Sequence, residues 1–311
     1  MRNLVALFAL ILALAAAMDA DTPRQPITTQ WIEHYEGNPN SFAIQRPGKG
    51  KLAFEPLMSL LPKDVIEITD QTSWVELHLE KQGKFYVCKF EKAGHPCDQA
   101  PPFTVPATKG ELRVSDRVVG WLHGVFSDWL EAHQNTTPQD ADSTRGGAIA
   151  VPLLATPHQR LLEGHRKICL AWTGGSEPYR LRIVNKVTQR RLLDAERQSG
   201  QSWCSEELEL VQGIYQLRLS GGDSVFESDF LVVGEAEVPQ IPRDDLAGLS
   251  TELQRTVSAA WLSGKDRGVW QWESYSSVVP LCDTYRPAEA LCRSQERGAP
   301  LSTMPDSSDA K

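Results

Sequence analysis

The sequence predicts a mainly β chain: a small β domain, then a β-sandwich, then a helical C-terminal hairpin. Three observations carry that expectation. Between residues 65 and 233, short apolar segments alternate with polar positions and are separated by turns rich in Gly, Asn and Asp, the pattern of half-buried strands. From Leu246 onward the apolar residues change to helical spacing. The six cysteines fall as three close pairs, one in each part of the chain.

Residues 1–20 read as a secretory signal, with one Arg, an apolar run over 4–17 and the small residues Ala15, Ala16 and Ala17. The run falls short of the roughly 20 residues that cross a bilayer. The expectation is therefore an exported chain, periplasmic or secreted, with no integral membrane segment after signal removal. Residues 21–59 are polar, with Pro, Asn and Gly, and read as a loose N-terminal arm. The small β domain is placed at 60–134. Its strands are 65–68, 74–79 and 85–90, with turn chemistry at Asp70, Gln71 and Thr72 and at Gln82-Gly83. A helix follows from Ser115 or Asp116 to about Gln134. Its stripe of Val118, Val119, Leu122, Val125, Phe126, Trp129 and Leu130 is expected to cover the open face of the sheet before it.

Residues 135–147 hold no large apolar side chain and read as a linker. The sandwich is placed at 148–238, with strands at 148–154, 167–172, 179–185, 191–195, 214–220 and 226–233. Residues 239–298 read as helices, over 246–264, 269–279 and 287–297, with Asp244-Asp245 as the expected cap of the first. The small, polar residues 299–311 read as a disordered tail.

The net charge is −8, and deletion of residues 1–20 removes one Arg and one Asp and leaves it unchanged. Such a chain does not suit a nucleic-acid partner. None of the six cysteines sits in a C-x-x-C. An even count in an exported chain reads as disulfides, paired by proximity as Cys88–Cys97, Cys169–Cys204 and Cys282–Cys292.

Two lines within 148–238 resemble immunoglobulin-like and fibronectin-like modules of bacterial envelope proteins. They are Cys-Leu-Ala-Trp-Thr-Gly-Gly with the later Pro-Tyr-Arg-Leu-Arg-Ile, and Leu-Val-Gln-Gly-Ile-Tyr-Gln-Leu-Arg-Leu. One departure matters: Trp172 lies on the same strand as Cys169, so the antibody disulfide geometry does not transfer, and Cys204 is expected on a connection or a neighbouring strand. In the first domain, Leu-Pro-Lys-Asp-Val-Ile-Glu-Ile and Trp-Val-Glu-Leu-His-Leu resemble the opening strands of FecR-type periplasmic domains. Ala-Ala-Trp-Leu-Ser-Gly and Trp-Gln-Trp-Glu-Ser-Tyr are similar to a tetratricopeptide-like hairpin. These resemblances imply non-catalytic modules of the cell envelope and name no ligand.

The candidate sites are few. Gly174-Gly175 feeds a strand, whereas a phosphate-cradling loop feeds a helix N-terminus, so the pair reads as a tight turn. Most of the nine tryptophans fall on apolar faces and read as core. Trp270 and Trp272 are two apart and cannot share a helix face, so one of them is expected to be exposed as a partner contact. The histidines lack the close spacing of zinc ligands. The run Ser220-Gly221-Gly222-Asp223-Ser224 lacks the glycine spacing of a nucleophile elbow. No catalytic residue, metal ligand or cofactor is therefore assigned. The expected function is a non-catalytic binding or scaffolding protein of the bacterial envelope, with another envelope protein as its partner. An envelope hydrolase or carbohydrate-binding protein, with carboxylates or Trp converging between the β domains, and a periplasmic signalling sensor are the alternatives.

Overall fold

The computed structural model describes residues 29–80, 82–91, 96–107, 114–134 and 147–298, without the side chains of 114–115, 127–134 and 197. The signal segment, residues 21–28, the linker up to 146 and the tail at 299–311 lie outside these residues.

The protein is mainly β, with several sheets and helices gathered towards the C-terminus. The first unit has two sheets. One is β1 (Trp31–Glu36), β5 (Trp74–Leu79) and β6 (Gly83–Cys88), in the order β1-β5-β6. The other is β2 (Phe42–Arg46), β3 (Gly50–Leu52), β4 (Val65–Ile68) and β7 (Phe103–Thr104), in the order β3-β2-β4-β7. Ile32, Tyr35, Phe42, Ile44, Ile66, Val75 and Leu77 close the core between them. A buried ion pair fixes its edge. Arg46 reaches Asp64 through Nη2 at 2.7 Å and Nε at 3.0 Å and donates to Ser59 O, while Leu61 N donates to Asp64.

Residues 29–59 are thus not a loose arm: they supply β1, β2 and β3. The sequence conceals β1 because both its faces are buried, Trp31 to Tyr35 inclusive, and a strand covered on both sides shows no alternation.

The second unit is a β-sandwich. Its main sheet runs β12-β11-β15-β16-β8, from β8 (Gln159–Leu162), β11 (Tyr179–Asn185), β12 (Arg191–Gln198), β15 (Gly213–Gly221) and β16 (Ser224–Val233). All neighbours are antiparallel except β16 and β8. Tyr179, Leu181 and Ile183 alternate inward with Tyr215, Leu217 and Leu219, the period of a one-face-buried strand. The outer face carries Arg180, Arg182 and Arg191 around Asp194.

Two short antiparallel pairs share this core: β10 (Cys169–Ala171) with β13 (Ser202–Cys204), and β9 (Gly164–Arg166) with β14 (Leu208–Leu210). Residues 148–154 make a single bridge, Ala150 to Thr173, and a short 3-10 turn rather than the expected strand. Gly174 and Gly175 have φ of 75° and 68°, and a Cβ on Gly174 would lie 2.2 Å from the Ala148 carbonyl oxygen. The Gly-Gly turn is a bend pressed under the 147–150 segment.

The helices are α1 (Val114–Gln134), α2 (Thr251–Ser263), α3 (Gln271–Val278) and α4 (Arg286–Glu296). The first cap is Ser250, whose hydroxyl accepts from Leu253 N at 3.2 Å. Asp244 and Asp245 lie instead in a separate 3-10 turn upstream. The helices pack into the sandwich core rather than forming a module of their own. Leu253, Val257, Trp272, Val278, Ala288 and Leu291 join Leu181, Leu217 and Phe230 in one apolar cluster. The stripe on α1 belongs to the same cluster through Val118, Val119, Leu122, Val125 and Phe126, and α1 touches α2 and α4. Trp31 of β1 and Leu57 join this cluster too, and His123 of α1 lies 3.7 Å from Glu55, so the stripe meets the first unit as well as the helices and the sandwich.

Candidate functional site

The three disulfides connect the expected partners. Cys88 and Cys97 clip the end of β6, with Cα atoms 5.6 Å apart. Cys169 and Cys204 face one another in the β10–β13 register, Cα atoms 4.1 Å apart. This bridge lies within one sheet and does not span the sandwich, as the position of Trp172 requires. Cys282 and Cys292 close the turn into α4, Cα atoms 6.2 Å apart.

Trp270 and Trp272 do not offer a partner contact: both are completely buried. They do point to different sides, as residues two apart on a helix must, but α3 is covered on both. Trp270 packs with Val233 and Leu262, and its indole N–H donates to Asp266 Oδ2 at 2.9 Å. Trp272 meets Phe230 edge-on at 4.9 Å and donates from Nε1 to Cys169 O at 2.8 Å. Its backbone N–H is taken by Oε1 of the wholly buried Gln159, and Glu273 accepts from Leu162 N and pairs with Arg166, each at 2.8 Å. Around α3 these groups tie the helices to the sandwich.

The chemically distinctive region is the seam where β1 meets the start of α2 and α4. β1 carries an irregularity: Ile32 and His34 pair with the consecutive residues Leu77 and Glu76, which leaves Glu33 as an extra residue. Such a bulge turns a side chain out of the normal alternation, and here it turns a carboxylate inward. Glu33 is 1 % exposed. Burial pushes its carboxyl up to about 7; the Ser250 hydroxyl opposes the shift, and the neighbouring Glu76 adds to it. His78 Nδ1 lies 3.9 Å from Glu33 Oε2, and the His78 ring stacks on Trp31 at 3.9 Å. Glu76 is paired to Lys84 at 2.7 Å. Burial raises the Tyr285 hydroxyl far above its usual range, with Glu33 adding to the effect. Among the described residues, Glu33 Oε1 has no hydrogen-bond partner, and the Ser250 hydroxyl partly offsets the upward shift of Tyr285.

Beside this seam lies a cleft of about 380 Å³ between β1 and the helices. Arg286 forms its joint. The backbone N–H of Arg286 donates to His34 Nδ1 at 3.1 Å, so that nitrogen carries a lone pair and not a proton. Its guanidinium lies over the Tyr35 ring, 5.1 Å from the centroid, and pairs with Glu289 at 2.6 Å. Glu289 also holds Arg293, and Tyr275 donates to Glu296 at 2.6 Å. Asp283 is exposed on the rim. A second hollow, of about 430 Å³, runs along Trp74, Tyr86 and the exposed Phe90 beside the first disulfide. Trp74 lines this hollow and donates from its indole N–H at 3.0 Å to Oε2 of Glu36, which lines the cleft.

Sequence reasoning did not find Glu33, His34, Arg286 or Tyr285. The one available signal was a polar Glu-His pair inside the aromatic run from Trp31 to Tyr35. Among the described residues, no group of three or more His, Cys, Asp or Glu is placed to hold a metal ion, and no helix is long and apolar enough to cross a membrane. Three disulfides fit an oxidising, extracellular or periplasmic setting. A scan of protein-family models finds no match for the chain, and neither does a search of curated protein sequences.

Proposed function

We propose that the chain is an exported, non-catalytic binding or scaffolding protein of the bacterial cell envelope, and that it takes a protein partner in the cleft between β1 and the C-terminal helices. The observation that carries this reading is the division of labour at the seam. Charged and aromatic groups line an open cleft and are held there by strand and helix backbone, which favours recognition. The acid with a shifted protonation range, Glu33, is sealed behind them, where no substrate reaches it. The inward-alternating antiparallel strands support an immunoglobulin-like module over 148–238, though its disulfide lies within one sheet, and the strands at 65–68 and 74–79 are the basis for a FecR-like reading of the first unit.

A second reading, an envelope hydrolase or carbohydrate-binding protein, draws on the approach of Glu33 and Glu76 and on the aromatic hollow at Trp74, Tyr86 and Phe90. The two readings separate experimentally. Oxidised protein is immobilised and exposed to envelope extract beside an Asp283→Lys variant, which reverses one charge on the cleft rim. The binding reading expects a partner retained by the wild type and lost by the variant. Reproducible turnover of a glycoside or ester, abolished by Glu33→Gln, with no partner retained, supports the hydrolase instead.

A further inference from the structure

Most apolar side chains of the first β unit form a core of their own, while its Trp31 and Leu57 join the larger cluster of sandwich and helices. Beside these two contacts the seam between the units is polar, around one carboxyl group. Glu33 is faced from every side. β5 presents Glu76 and His78, and β6 presents Lys84, already paired to Glu76. The start of α2 presents Ser250 and Glu252, the segment before α4 presents Tyr285, and His34 follows on β1 itself. Burial strips a charged Glu33 of its hydration, and two of these neighbours are acids that repel it. The Ser250 hydroxyl and Lys84 offset this only in part, and Oε1 has no donor among the described residues. A protonated Glu33 removes the charge and supplies an O–H of its own.

We propose that this seam is a proton-controlled latch: the C-terminal helices seat firmly on the first β unit while Glu33 is a neutral carboxylic acid, and they loosen when it ionises. The cleft shares β1 and α4 with the seam, so a loosened latch also moves the walls of the cleft. The latch itself requires no occupant.

The test is hydrogen exchange of the full, oxidised chain between pH 5.5 and 8.5, corrected for the intrinsic pH dependence of exchange. The reporter is the Arg286 amide, bonded to His34 Nδ1 across the seam. Glu33 has a carboxyl near 7 in the closed seam and 4.5 when hydrated, so opening becomes about 30-fold more favourable across that range. The wild-type Arg286 amide therefore loses about 30-fold in protection, through an opening with a smaller free energy than that of the β15–β16 amides. Glu33→Gln abolishes the trend. A flat wild-type profile overturns the latch without recourse to any variant. It is equally overturned if Glu33→Gln keeps the trend, or if the Arg286 amide exchanges only together with the β15–β16 amides.

Discussion

Replacing Trp272 by alanine tests whether the C-terminal helices are part of the sandwich or an appendage to it. The side chain is wholly buried, so truncation leaves a cavity worth about 3–5 kcal/mol. Part of that cost is the lost edge-to-face contact with Phe230, about 1 kcal/mol. The Cys169 carbonyl also loses the indole N–H at 2.8 Å, a buried bond whose removal costs about 1–3 kcal/mol. The expected total is about 5 kcal/mol for Trp272→Ala. Trp272→Phe, which keeps an apolar ring and loses the donor, is expected to cost about 2 kcal/mol. Urea denaturation of the oxidised protein, followed by far-UV circular dichroism, gives both values, with sandwich and helices unfolding in one transition. A Trp272→Ala protein within about 1 kcal/mol of the wild type would refute the integrated core. It would return Trp272 to the role of a partner contact.

Other consequences follow from single groups. Glu33 has a folded value near 7 against 4.5. Its favourable contribution is therefore complete below about pH 4.5 and is lost as pH rises through 7, a loss of about 3 kcal/mol by pH 8.5. Glu33→Gln should raise stability by up to that amount at pH 8.5 and by nothing at pH 4.5; denaturation at the two pH values decides, and a variant weaker than the wild type at pH 8.5 contradicts the assignment. Arg46→Ala strands Asp64 as a buried unpaired charge, both side chains being almost fully enclosed. The expected loss is about 3–5 kcal/mol, and a thermal midpoint unchanged within about 2 °C would show that the pair contributes nothing.

How much of this was legible in the sequence depends on the kind of surface each segment meets. β11 was readable to the residue, because Tyr179 to Asn185 is buried on one face and wet on the other. The disulfide partners were readable because each pair is nearest in sequence. β1 was hidden by burial on both faces, which replaces alternation with a mixed run, Trp-Ile-Glu-His-Tyr-Glu. With β2 and β3 assigned to the arm as well, the second sheet of the first unit was unseen, and the α1 stripe was assigned to the sheet alone rather than to a cluster it shares with Trp31, the helices and the sandwich. The tryptophan pair misled for a related reason. Helical spacing gives the angle between Trp270 and Trp272 but not what stands on either side, and Val233, Leu262 and Phe230 come from distant segments. The Glu33 seam is the extreme case. Its members come from β1, β5, β6 and the entries to two helices, and no local pattern brings them together.

The central claim is that an oxidised, sheet-rich scaffold holds these parts in place, with one sulfur bridge in each. Peptide mapping of the non-reduced protein by mass spectrometry tests it directly. The expected map joins Cys88 to Cys97, Cys169 to Cys204 and Cys282 to Cys292, with no thiol left to alkylate. Free thiols in folded protein, or a bridge joining cysteines of different parts, would contradict the account.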